Sequence, residues 1–170
     1  LLSRGRIVEI SAECMQQVTF MSKTIDNFKN FFSPSKTKKE FSVVNTLRST
    51  VGLIDARLRN HGIGIEFDIK QDCALYGYKG ELQQVVLNII SNAVDAIIER
   101  NCTKRVVTIL ADKGDGGAII QIQDTAGGID ESIITKIFDP YFTTKAQGKG
   151  MGIGLYMSKQ IIERHMHGKL

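Results

Sequence analysis

Residues 79–100 carry two opposed surfaces on one helix. Leu82, Val85, Val86, Ile89, Ile90, Ala93 and Ile97 recur at helical spacing and make an apolar side that must be covered. Asn88, Asn92 and Asp95 stand at i, i+4 and i+7 on another face, and Glu81 and Gln84 extend that polar stripe. A polar stripe on a helix with a core-like side faces water or a ligand. Carboxamide oxygens can ligate Mg²⁺ without cancelling its charge. An ordinary solvated helix face accounts equally well for the stripe taken alone.

The flanking patterns set the fold class. Val44, Leu47, Val51, Ile54 and Leu58 predict a helix from 43 to about 60, stopped at His61-Gly62, with Gly62 in a left-handed C-terminal position. Ile63, Ile65, Phe67 and Ile69 alternate with Gly64, Glu66 and Asp68, the pattern of a half-buried strand. Residues 74–78 fit a second short strand. Strands at 105–111 and 118–123 flank Gly114-Asp115-Gly116-Gly117, a hairpin turn. A last helix is expected from about 152 to 165. The order helix, strand, strand, helix, hairpin, loop, helix predicts an α+β fold: a two-layer α/β sandwich, a mixed sheet with helices on one face.

A different period governs the N-terminus. Cys14, Val18, Met21, Ile25, Phe28 and Phe32 alternate spacings of four and three, the seam of a coiled coil or antiparallel bundle. Ile7 extends it and Ser11 interrupts it. Such a stripe needs a partner helix or a second subunit; packing on the main domain is the alternative. Ser33-Pro34-Ser35 ends the helix, so the expected organisation is a helix over 1–34, a linker over 35–40 and a main domain over 41–170.

Lys36, Lys38 and Lys39 beside Pro34 read as a solvated linker, and a net charge of +4 is too mild to imply nucleic-acid binding. The three cysteines, Cys14, Cys73 and Cys102, form no CxxC pair, which argues for reduced cytosolic thiols and against a zinc or disulfide framework. No apolar run approaches the ~18 residues of a membrane span, and the start does not read as a signal peptide.

Three further clusters follow the polar helix. Asp124-Thr125-Ala126-Gly127-Gly128-Ile129 puts a carboxylate at a strand end before small residues. That carboxylate could accept from an exocyclic amine such as adenine's, or the segment could be a plain tight turn. Phe138-Asp139-Pro140-Tyr141-Phe142-Thr143-Thr144-Lys145 crowds three aromatics into an aperiodic stretch. It reads as a loop anchored by aromatic packing with Lys145 toward phosphate, or as a plug for a core gap. Gly148-Lys149-Gly150-Met151-Gly152-Ile153-Gly154-Leu155 opens into a helix, where backbone N–H groups can meet an anion. Its spacing fits neither a P-loop nor a dinucleotide fingerprint.

In this order the four clusters resemble the N, G1, F and G2 boxes of the histidine kinase catalytic domain, in the superfamily that includes DNA gyrase, heat-shock chaperone and mismatch-repair ATPases. The first segment resembles the second helix of the dimerisation domain, and residues 28–34 its exit into the catalytic domain. The resemblance implies ATP and Mg²⁺ as ligands. Asn92 would hold the metal, with Asn88 beside it as the second catalytic amide and Asp95 next to them. Asp124 would bind the adenine amino group, with Gly128 and Ile129 shaping the pocket. Thr144, Lys145, Gly150, Met151, Gly152, Ile153, Gly154 and Leu155 would form the lid and phosphate cradle, anchored by Phe138 and Phe142.

The resemblance further implies a homodimer through the N-terminal helix, with the γ-phosphoryl group passing to a histidine of the dimerisation domain and on to a response-regulator aspartate. Localisation would be cytoplasmic, in a longer protein that an inner-membrane anchor could hold. A related ATPase or a non-catalytic nucleotide-binding module are the alternatives. Those ATPases place a glutamate base where Asn88 stands, and an amide cannot take a proton from water.

There are departures. Thr125 and Ala126 stand where the family commonly has Asn and Gly, and ATP binding is expected to survive them. The phosphoacceptor box would precede Leu1, and final sheet strands would follow Leu170. His61, expected on the surface, and His165 and His167, expected against their helix C-terminus, do not replace the phosphoacceptor.

Overall fold

The computed structural model describes residues 37–145 and 150–170, with six residues of the N-terminal segment. Those six, Arg6, Ile10, Ser11, Cys14, Met15 and Val18, are helical and exposed. The remaining seam positions, from Met21 to Phe32, and Ile7 lie outside the described residues, as does the start of the linker.

The chain then runs β1 (Lys39–Ser42), α1 (Val43–Asn60), β2 (Gly64–Ile69), β3 (Ala74–Gly77), α2 (Lys79–Glu99), β4 (Val106–Gly114), β5 (Gly117–Asp124) and α3 (Gly154–Gln160), which continues as a π-helical turn over Ile161–His165. β2, β4 and β5 form a mixed sheet with β4 central. β2 lies parallel to β4, and β4 antiparallel to β5 with Gly114 opposite Gly117 across the hairpin. A parallel pair needs a crossover, which β3 and α2 supply. β1 and β3 make a separate antiparallel ribbon.

Alternation along β4 explains the two layers. Val107, Ile109 and Ala111 are buried while their neighbours are only half-buried. The buried set meets Leu47 of α1 and Leu82, Val86, Ile90, Val94 and Ile97 of α2 in one core. Helices therefore cover one face of the sheet, as the sequence predicts.

Four details differ from the sequence reading. β1 begins at Lys39, inside the stretch read as linker; it has four residues and buries only Phe41, too little for alternation to register. The final helix starts at Gly154, because Gly152 has φ +64° and cannot be helical. Glu81 is only 3% exposed, although it lines the same cleft as Gln84, Asn88 and Asn92. His165 reaches Glu81 at 3.1 Å instead of turning to its own helix end. As expected, Gly62 is left-handed, with φ +62°.

The start of α1 accounts for its first three N–H groups, which lack intrahelical partners. Val43 N–H donates to Cys73 O at 3.0 Å. Val44 N–H donates to Asp72 Oδ1 at 3.0 Å, and Asn45 N–H to Ser42 Oγ at 3.0 Å. The Ser42 hydroxyl donates in turn to Asp72 Oδ2 at 2.6 Å. The hydroxyl first, and the Val44 amide second, hold the Asp72 carboxyl below its ordinary value of 3.8. A carboxylate depressed by folding adds stability above its unfolded pKa, and that stability is lost as pH falls through the depressed value. Ser42→Ala is expected to cost about 1 kcal/mol at neutral pH. Asp72→Ala is expected to lower the melting temperature at pH 7, and thermal melts down a pH series should find that deficit shrinking below pH 4.

Candidate functional site

One cleft of about 1320 Å³ gathers most of the residues singled out above. α2 contributes Asn88, Ile89, Asn92, Ala93 and Ala96; β5 contributes Ile120, Ile122 and Asp124. Gly128, Ile129, Phe138, Phe142, Thr144 and Lys145 line it from the loop after β5. Gly150, Met151, Gly152, Ile153, Gly154 and Leu155 line it from the approach to α3. Asp95 alone of the expected site residues is not in the lining. Its carboxylate is engaged by Arg57 of α1 and by Lys145.

The two asparagines differ in what they touch. Asn88 accepts from Gln84 Nε2 at 3.1 Å, and its own amide donates to Gly154 O and Ser158 Oγ, both at 3.3 Å. Asn88 thus ties α2 to the start of α3. Asn92 instead offers its Oδ1 to Lys145 Nζ at 3.1 Å. Of the two, Asn92 carries the oxygen available to a cation.

Asp124 sits where the final pairing of β5 releases the chain. Its Oδ1 accepts from Ala126 N–H at 2.8 Å, which closes the turn and fixes the carboxylate in the cleft. Thr125, a departure from the family pattern, stitches β5 to the start of β4: its hydroxyl donates to Lys104 O at 2.6 Å and accepts from Val106 N–H at 3.1 Å. Ala126 keeps an ordinary negative φ and is buried, so its methyl group costs no backbone strain. Arg100, at the end of α2, donates to Ala126 O and to Gly128 O, the latter at 2.9 Å. Sequence reasoning missed Arg100, Arg57 and Ser158. A lone arginine past a helix end reads as a partner of the helix dipole, and nothing local marks it as a brace for a loop 26 residues away.

The glycine-rich approach is pinned at one residue. Gly152 O accepts from Tyr141 N–H at 2.9 Å. A Cβ on Gly152 would stand 2.3 Å from Tyr141 C and 2.4 Å from Phe142 O. Backbone lies against backbone here, which only glycine allows. The aromatic segment is anchored further by Lys159 over the Phe138 ring, 5.1 Å from its centroid.

The cleft therefore combines apolar walls, a carboxylate, a neutral amide oxygen and a lysine. Comparison with known proteins supplies the family. The chain belongs to the histidine kinase-, DNA gyrase B-, and HSP90-like ATPase family, whose model matches residues 77–170. Within that family its relatives are sensor kinases. It is 34% identical to the two-component sensor PprA of Pseudomonas aeruginosa over 134 residues, 76% of this chain and 14% of that protein. It thus spans a small part of that relative's length. The catalytic domain of histidine kinase ThkA superposes with a TM-score of 0.65 at 25% identity, covering 76% of this chain and 82% of that one. The fold is shared with the structure of histidine kinase ThkA in complex with response regulator protein TrrA, with a TM-score of 0.68 at 21% identity, covering 97% of this chain and 45% of that one.

Gly152→Ala is expected to displace the glycine-rich approach from Tyr141. A left-handed conformation costs a non-glycine residue about 1–2 kcal/mol before the clash is counted. Hydrogen exchange at the Tyr141 amide should accelerate markedly; unchanged protection there would contradict the pinned geometry.

Proposed function

We propose that this chain is the ATP-binding catalytic part of a sensor histidine kinase, transferring the ATP γ-phosphoryl group to a histidine of a dimerisation domain for relay to a response-regulator aspartate. The observation that carries it is the convergence of Asn92, Asp124 and Gly152 on one cleft. In this reading residues 1–34 are the second helix of the dimerisation domain, 35–40 the linker, and 41–170 the catalytic domain. The helix would pair with a second copy, and the module would work in the cytoplasm. No helix among the described residues is long and apolar enough to cross a membrane.

Each residue has a task set by its chemistry. The Asp124 carboxylate accepts from the adenine amino group, and its Oδ1 contact with Ala126 fixes its direction. Gly128 and Ile129 bound the ring, and Arg100 braces that turn through two carbonyls. Asn88 holds α3 and its glycine-rich approach at a fixed distance from α2. Lys145, with Thr144 beside it, is within reach of the phosphates once released from Asn92.

The residues present fit a nucleotide-borne Mg²⁺. Asn92 would supply a neutral oxygen, a donor type that suits this ion. Asn92 would help hold the ion, which would supply neutralisation of the charge that develops on the transferred group. The chain itself contributes positioning and exclusion of water. Asn88 stands where a hydrolytic ATPase needs a base, and an amide cannot act as one, which favours transfer to a protein over hydrolysis.

Two experiments test this. Asp124→Asn replaces an acceptor by a group that can also donate, and calorimetry with Mg-ADP should find affinity reduced about tenfold or more, as for a lost hydrogen bond to a charged group; undiminished binding would remove the adenine role. The chain joined to a relative's histidine-bearing helix, given γ-labelled ATP and Mg²⁺, should acquire acid-labile, base-stable protein label. Free phosphate without protein label would identify an ATPase instead.

A further inference from the structure

The cleft holds a cation that belongs to the chain itself. Lys145 Nζ donates to Asn92 Oδ1 at 3.1 Å and to Asp95 Oδ2 at 2.5 Å. Only 22% of its side chain is exposed. The Asn92 oxygen it covers is the one that the reading above gives to the metal, and the Asn88 oxygen is committed to Gln84. Asp95 lies outside the cleft lining, so its carboxylate is placed to hold the lysine rather than a ligand. Its other oxygen is held by Arg57 from α1.

We propose that Lys145 is a resident placeholder: Asn92 and Asp95 hold its ammonium group on the oxygen that a nucleotide-bound metal takes, and the arriving metal nucleotide displaces it. The inference rests on the nucleotide reading of the cleft. Its physical basis is simple. An amide oxygen facing a cleft keeps a defined direction when a charged donor satisfies it. Two cations a few ångströms apart repel, so it is unfavourable for lysine and metal to share that oxygen. Displacement frees the ammonium group for phosphate at the moment phosphate arrives. Arg57 keeps Asp95 compensated after the lysine leaves. Asp95 is therefore a positioning residue, acting through Lys145.

The test has two arms. In the nucleotide-free chain, ¹⁵N-edited NMR should detect the Lys145 side-chain ammonium as a hydrogen-bonded, slowly exchanging group, whose signal moves on addition of Mg-ADP. The absence of that signal in the free chain overturns the placeholder. Binding of Mg-ADP with the signal unchanged overturns the placeholder alone. Failure of Mg-ADP to bind overturns the nucleotide reading and the placeholder with it.

The second arm is a mutant cycle read by calorimetry, with thermal melts confirming that each variant folds. Asp95→Asn should tighten Mg-ADP binding by about fivefold, the scale of one partly exposed ion pair. In a Lys145→Met background the same change should give no gain. A gain that persists or grows without the lysine would show that Asp95 acts by repelling phosphate directly, and would overturn the proposal. If Asp95→Asn does not fold, the NMR arm on the unmodified chain decides the matter.

Discussion

Burial of one side of α2 against β4 is the constraint on which everything else rests. Ile90 and Ile97 are fully enclosed, and Val86 and Val94 nearly so, against Val107 and Ile109. Each such aliphatic side chain stabilises the fold by roughly 1.5–3 kcal/mol relative to exposure. A helix fixed so firmly on one side has no freedom to rotate. Asn88 and Asn92, on its other side, are therefore held at set positions by a core they do not belong to. The positions of these two amides are thus inherited first from packing, and the polar contacts of the cleft refine them.

Much of this was legible in the chain because it is periodic. The apolar sets of α1 and α2, the alternation of β2 and the glycine-flanked hairpin each repeat within a dozen residues, so local spacing announces them. What escaped is non-local. Glu81 and His165 lie 84 positions apart, and helical phase, which rightly put Glu81 with Gln84 on the cleft side, could not show that the end of the chain covers it. The ribbon of β1 with β3 escaped for another reason. Four residues with one buried side chain give alternation nothing to repeat.

The site was legible as a set of residues but not as a division of labour. Asn88 and Asn92 are the same residue type one turn apart. Spacing makes them equivalent, while tertiary contacts separate them: one faces the carbonyl of Gly154 and the hydroxyl of Ser158, the other the ammonium of Lys145. Asp95 shows the same limit. It shares their stripe, yet its two oxygens are taken by Arg57, from 38 residues earlier, and by Lys145.

The pinning of Gly152 to Tyr141, together with the Asn88 contact at Gly154, has a consequence for how such chains diverge. Backbone lies against backbone at the first of these points, and any side chain on Gly152 would have to part Tyr141 from Phe142. Relatives that keep this cleft are therefore expected to keep glycine at that position, while Ala126, whose φ is ordinary, marks a place where substitution is inexpensive.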